Sequence, residues 1–116
     1  MDIHMSKHFK LNEFGCKCCG IYIVNYHLHA ILELVRLKFN APVMITSGTR
    51  CKTHNKAVGG MENSKHLTGE AADIVVKGVH PQLVYNYLDS IFKYTLGIGN
   101  YDTFTHIDTR EEHSRW

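Results

Sequence analysis

The stretch Ser64-Lys65-His66-Leu67-Thr68-Gly69-Glu70-Ala71-Ala72-Asp73-Ile74 constrains this chain more than any other. Between His66 and Asp73 lie a glycine that can bend the backbone and two alanines that allow close approach, and the β-branched run Ile74-Val75-Val76 follows at once. That pattern reads as a loop delivering a histidine and a carboxylate to the mouth of a buried strand. Near the C-terminus, Phe104-Thr105-His106-Ile107-Asp108 reads as another strand. Its alternation puts Phe104, His106 and Asp108 on one face and Thr105 and Ile107 on the other. His66, Asp73 and His106 would make a nitrogen and oxygen set for one divalent ion, with a fourth position left for water, as in catalytic zinc sites. Spacing alone does not establish this set. No compact helical or knuckle motif ties the three residues together, and nine histidines in so short a chain pair with acids by chance.

A chain of 116 residues with 44% apolar content is expected to form one domain, 1–116, with its own core. The formal charge of +2 is too small to indicate a nucleic-acid protein, so no nucleic-acid partner is expected. No apolar run reaches the length of a membrane span, and residues 1–10 lack the apolar core of a secretory signal. Synthesis in the cytoplasm without a signal peptide or membrane insertion is the expectation.

Residues 7–20 read as an irregular leading segment anchored by Phe9, Leu11 and Phe14 and ending in Cys16-Lys17-Cys18-Cys19-Gly20; the fourth cysteine, Cys51, follows Arg50. Free thiols, one bridge from the cluster to Cys51 and a metal knuckle all stay open. A reducing compartment favours thiols, and adjacent Cys18 and Cys19 serve one tetrahedral centre poorly. Leu28, Ile31, Leu32, Val35 and Phe39 recur at helical steps, which predicts an amphipathic helix capped by Asn25 and stopped by Asn40-Ala41-Pro42. His27 and His29 fall on different faces of it and read as exposed or packing residues.

Residues 43–46 predict a buried strand that delivers Ser47-Gly48-Thr49-Arg50 to a sheet edge. Residues 55–63 read as a glycine-bearing loop; no Lys-Ser/Thr pair follows Gly59-Gly60, which excludes a phosphate-binding reading. A second strand is predicted from Asp73 to Lys77-Gly78, then a helix opened by Pro81 with His80 as cap or surface residue. A strand over residues 96–101 pairs with residues 104–108, and residues 111–115 read as a solvated end. Strands and helices without strict alternation predict an α+β fold, a small antiparallel sheet with helices packed on one face, and not a doubly wound nucleotide binder.

The pattern Ser64-x-His66-x-x-Gly69-x-Ala71-x-Asp73, preceded by Thr46-Ser47-Gly48-Thr49-Arg50 and followed by His106-x-Asp108, resembles the zinc D-Ala-D-Ala carboxypeptidase family. These peptidoglycan peptidases share their fold with the hedgehog signalling domain, and the likeness runs from about residue 14 to residue 110. The resemblance implies a hedgehog/D,D-peptidase-like fold and one Zn2+ held by His66, Asp73 and His106. It also implies a metallopeptidase acting on peptidoglycan peptides with D-amino acids, either a D-Ala-D-Ala carboxypeptidase or a murein endopeptidase of endolysin type; a monomer is expected. Arg50 then reads a terminal carboxylate or backbone carbonyl of the substrate, a bidentate task that lysine does not reproduce, and Ser64 contacts substrate.

The chain departs from the best-known members three positions before the last zinc ligand, where their acidic residue is replaced by Thr103. The general base is therefore expected to be Asp108 or Asp102, the other reading of Asp108 being a partner that orients a zinc histidine or pairs with Arg50. Small size and the absent wall-binding module look like a phage or prophage product that reaches the cell wall through a membrane lesion. Two rivals are a non-catalytic, zinc-stabilised binding or phage structural module of the same fold, favoured by Thr103, and a redox or metal sensor built on the four cysteines.

Overall fold

A computed structural model describes residues 4–23 and 25–116. The chain begins with a short hairpin, β1 (His4–Ser6) and β2 (Phe9–Lys10), and a 3-10 turn over Leu11–Phe14. Helix α1 (Tyr26–Phe39), strand β3 (Val43–Ser47) and the short helix α2 (Lys52–Ala57) follow. A second 3-10 turn (Lys65–Thr68) then leads into β4 (Ala71–Val76) and helix α3 (Pro81–Ile91). Strands β5 (Gly97–Asn100), β6 (Thr105–Asp108) and β7 (Ser114–Arg115) complete it.

Both long helices start and stop where their end residues dictate. Asn25 accepts a hydrogen bond from the Leu28 amide at 2.9 Å, and Asn40 ends α1 in the left-handed region at φ 47°. His80 caps α3, its Nδ1 accepting from the Gln82 amide at 3.0 Å, and Pro81 occupies the first helical position. Leu28, Ile31, Leu32 and Val35 of α1 and Val84 and Leu88 of α3 are buried in one apolar cluster with Ala72, Ile74, Val76, Ile98 and Ile107 of the sheet. Burying each of the large side chains contributes about 1.5–3 kcal/mol. His29 packs in this region with its ring 4.1 Å from that of Phe14, whereas His27 is exposed.

The five-stranded sheet runs β3-β4-β6-β5-β7, antiparallel except for the parallel β5–β7 pair. The α+β class is as expected, but the sheet is mixed. The C-terminal tail makes the difference, because Glu111, Glu112 and His113 are exposed as expected of a solvated end but Ser114–Arg115 form β7. Arg115 sends its guanidinium to the carbonyls of Phe92 and Leu96, each at 2.6 Å, and of Thr95 at 3.1 Å, with Asp89 at 2.7 Å. Those carbonyls lie where α3 has ended and β5 is beginning, and a five-donor side chain satisfies them together.

Three boundaries also move. β4 begins at Ala71, two residues before Asp73; α2 covers residues 52–57 and so takes 55–57 from the expected loop; and a hairpin pairs residues 4–6 with residues 9–10 at the start of the leading segment. Glu33 of α1 fixes that hairpin, accepting from Ser6 Oγ at 2.7 Å, the His8 amide at 2.8 Å and His8 Nδ1 at 2.7 Å. Alternation leaves Asp73 of β4 and its register partner His106 of β6 on the sheet face away from the helices. Among the described residues, no helix is long and apolar enough to cross a membrane.

Candidate metal centre

His66 lies on the second 3-10 turn, which Ser64 starts and Gly69 ends. Ser64 Oγ accepts from the His66 amide at 3.2 Å, and Gly69 turns the chain at φ 74°. A side chain on Gly69 would meet Ile23 at 2.7 Å, so both the turn and the close approach require glycine. The His66 carbonyl accepts from the Arg50 amide at 2.9 Å, tying this turn to the end of β3. The register shift between Ile45 and Ser47 brings Ser47 opposite Asp73, a bulge that sets the following residues beside the site.

Three ligand atoms converge from these elements. His66 is buried, with Nδ1 2.7 Å from the Gly48 carbonyl; a carbonyl only accepts, so Nδ1 carries the proton and Nε2 faces Asp73 Oδ1 at 3.3 Å. His106 Nδ1 lies 3.0 Å from the same Oδ1, and its Nε2 lies 2.8 Å from Asp108 Oδ2. One ligand atom from each of His66, Asp73 and His106 falls within 4.8 Å of the other two.

The donor set fits a cation. Each imidazole faces an acceptor on both sides, yet a neutral ring has one N–H, and the outer partners Gly48 and Asp108 take it. Two nitrogen lone pairs and a carboxylate oxygen are thus aimed at one another. Protons on both rings or one metal ion resolve that arrangement, and outer partners of this kind fix the tautomer of metal-ligating histidines.

Burial pushes the Asp73 carboxyl up, but hydrogen bonds from His106 and His66 outweigh it and hold the pKa at about 2. Burial likewise opposes ionisation of Asp108, but His106 and Arg110 hold it well below the usual carboxylate range. Burial lowers the His106 pKa, and Asp108 and Asp73 more than reverse this and raise it.

Arg50 also belongs to the constellation. Its Nε donates to Ser47 Oγ at 3.0 Å, Nη1 to Asn55 Oδ1 at 3.2 Å and Nη2 to Asp73 Oδ2 at 3.3 Å, which leaves further N–H groups unengaged. Arg50, Ser64, His66, Asp73, His106 and Asp108 all line one cleft of about 730 Å³. Asp108 has no exposed surface and sits on the far nitrogen of His106, whereas Asp102 is exposed and outside the cleft lining. Its neighbours Tyr101 and Phe104 do line the cleft, with rings stacked at 4.4 Å.

Two further residues were not singled out from the sequence. Arg110 clamps Asp108 bidentately, Nε to Oδ1 and Nη2 to Oδ2, both at 2.8 Å. Trp116 packs 5.1 Å from the His106 ring and 5.2 Å from the Arg110 guanidinium. Continuing the two-residue alternation past Asp108 points to Arg110; no pattern in the sequence points to Trp116.

The fold and the site define a small α+β protein with a His-Asp-His group that could hold a metal ion, in a cleft that Arg50 also lines. The Peptidase M15 family model matches residues 7–108, and the chain belongs to that family. The family's members are zinc-dependent and act on peptidoglycan peptides. No curated protein matches the chain.

Proposed function

We propose that this protein is a zinc metallopeptidase that hydrolyses a peptide bond in peptidoglycan stem peptides, at the terminal D-Ala-D-Ala bond or within the stem or cross-link. The observation that carries the reading is the convergence of His66 Nε2, Asp73 Oδ1 and His106 Nδ1 on one point of the cleft. Zinc held by these three residues would supply Lewis-acid chemistry for a scissile carbonyl and for the activation of water. The chain's own groups do the rest.

Gly48 and Asp108 hold the two imidazoles in the tautomers that turn a lone pair inward. Arg50 fixes Asp73 through Oδ2, leaves Oδ1 to the metal and offers its remaining N–H groups to a carboxylate or carbonyl of the substrate. Ser64 keeps its hydroxyl hydrogen for a substrate oxygen while its oxygen caps the turn. Asp108, already clamped by Arg110 and His106, acts as a positioning residue, and the proton-accepting role falls to Asp102, which has to swing in from outside the cleft lining, between Tyr101 and Phe104. Action on the wall during phage lysis would be one setting for such an enzyme.

One observation favours a second reading, a non-catalytic zinc-bearing binding or phage structural module. Among the described residues, the carboxylates lining the cleft are Asp73 and Asp108, and both are already engaged. Incubating zinc-loaded protein with purified muropeptides and weighing the products decides between them. Release of D-Ala or a cut stem is expected, is abolished in His66→Ala, and falls steeply in Asp102→Asn with zinc retained. Intact muropeptides from the wild-type protein would overturn the peptidase reading and leave the binding module.

A further inference from the structure

We propose that Cys16, Cys18, Cys19 and Cys51 hold a second zinc ion, in a closed structural site separate from the His66, Asp73 and His106 set. The four residues come from two segments more than thirty positions apart, yet one sulfur from each lies within 4.8 Å of the others. Cys18 and Cys51 sulfurs are 3.3 Å apart, Cys16 and Cys18 3.6 Å, and Cys16 and Cys51 3.8 Å. A tetrahedral zinc with sulfur at about 2.3 Å places its ligands about 3.8 Å from one another, so the cluster is already close to the required spacing. One disulfide would account for two of the sulfurs and give no reason for the other two to converge.

The surrounding backbone is arranged for thiolates. The Cys51 amide donates to Cys16 Sγ and the His54 amide to Cys51 Sγ, both at 3.4 Å, the N–H to sulfur bonds that orient metal-bound thiolates. The Gly20 amide donates to the Cys16 carbonyl and the Cys16 amide to the Ile21 carbonyl, both at 2.7 Å. These two bonds close the loop that carries Cys18 and Cys19 back over Cys16, so the adjacent cysteines reach the same point. Four sulfur donors select zinc or iron over magnesium or calcium, and four protein ligands leave no position for water, the mark of a structural site.

The position of Cys51 gives the second ion its task. It follows Arg50 directly; the Thr49 amide donates to the Phe14 carbonyl at 2.8 Å and the Ile23 amide to Thr49 Oγ1 at 3.0 Å. A zinc ion across this seam locks the leading segment onto the backbone that aims Arg50. Binding displaces the thiol protons, as it does at other thiolate sites.

Native mass spectrometry of protein expressed with zinc and purified under reductant is expected to show two zinc ions per chain. His66→Ala should keep one and Cys51→Ser should keep one. Cobalt loaded into His66→Ala should give the near-ultraviolet thiolate-to-cobalt charge-transfer band. Should Cys51→Ser fail to fold, thiol labelling of His66→Ala replaces it, with the four cysteines unreactive until a chelator strips the ion. His66→Ala that carries no zinc, thiols that react at once, or a disulfide found in non-reduced peptides would overturn the proposal. A second zinc retained in His66→Ala stands whatever the muropeptide assay shows, so the two claims fail separately.

Discussion

His106 is held from both edges of its ring, by Asp73 on one side and Asp108 on the other, and Arg110 holds Asp108 in turn. Asp108→Asn keeps the shape but weakens the grip on His106 Nε2. Zinc affinity, read by competition with a chromophoric chelator, is expected to fall about 10–100-fold; an unchanged affinity would remove Asp108 from the positioning role. Arg50→Lys replaces a planar fork with a point charge. If Arg50 binds a substrate carboxylate, kcat/KM on muropeptides should drop roughly 10–100-fold, matching about 1.5–3 kcal/mol for a charged hydrogen bond. Equal rates in the two proteins would place the carboxylate elsewhere. At this scale the candidate set of His66, Asp73 and His106 was legible through the resemblance of its motif to a family pattern, and the chain brings the three together. The clamp was not, since the roles of Gly48 and Arg110 arise only once β3, β4 and β6 lie side by side.

Among the elements, the β1–β2 hairpin depends on α1 through one carboxylate. Burial pushes the Glu33 pKa up, and hydrogen bonds from His8 and Ser6 outweigh this and bring it below the ordinary 4.5. A depressed carboxylate contributes stability above its unfolded pKa and loses it as pH falls through the folded value. Glu33→Gln is therefore expected to cost about 1–2 kcal/mol at neutral pH by urea unfolding, with the gap from wild type closing below about pH 4. A gap that persists in acid would contradict this. Gly97 on β5 lies beneath the clamp, and a Cβ there would stand 2.5 Å from both Asp108 oxygens. Gly97→Ala is expected to lower zinc affinity without touching a ligand, in the same chelator competition, and full affinity would show that Asp108 can shift freely. The two amphipathic helices and the alternating strands were readable because each buries a periodic face. The seven-residue run after Thr109 carries no such period. Its strand is made by Arg115 reaching backbone carbonyls, a long-range match that local pattern does not encode.

For the molecule as a whole, the site is assembled from the end of β3, the 3-10 turn before β4, and β4 and β6 themselves, so metal binding and folding are linked. Free zinc at about 100 times Kd should raise stability by about 2.7 kcal/mol and chelation should lower Tm accordingly; a Tm indifferent to chelator would detach the ion from the fold. The cysteines show where sequence reading stops. Their spacing left thiols, a bridge and a knuckle open, and only the packing of residues 14–23 against residues 48–51 brings all four sulfurs together. The most direct measurement is anomalous diffraction at the zinc edge from crystals grown with zinc. A peak bonded to His66 Nε2, Asp73 Oδ1 and His106 Nδ1 is expected. A zinc-replete crystal with no anomalous density among those three atoms would contradict it.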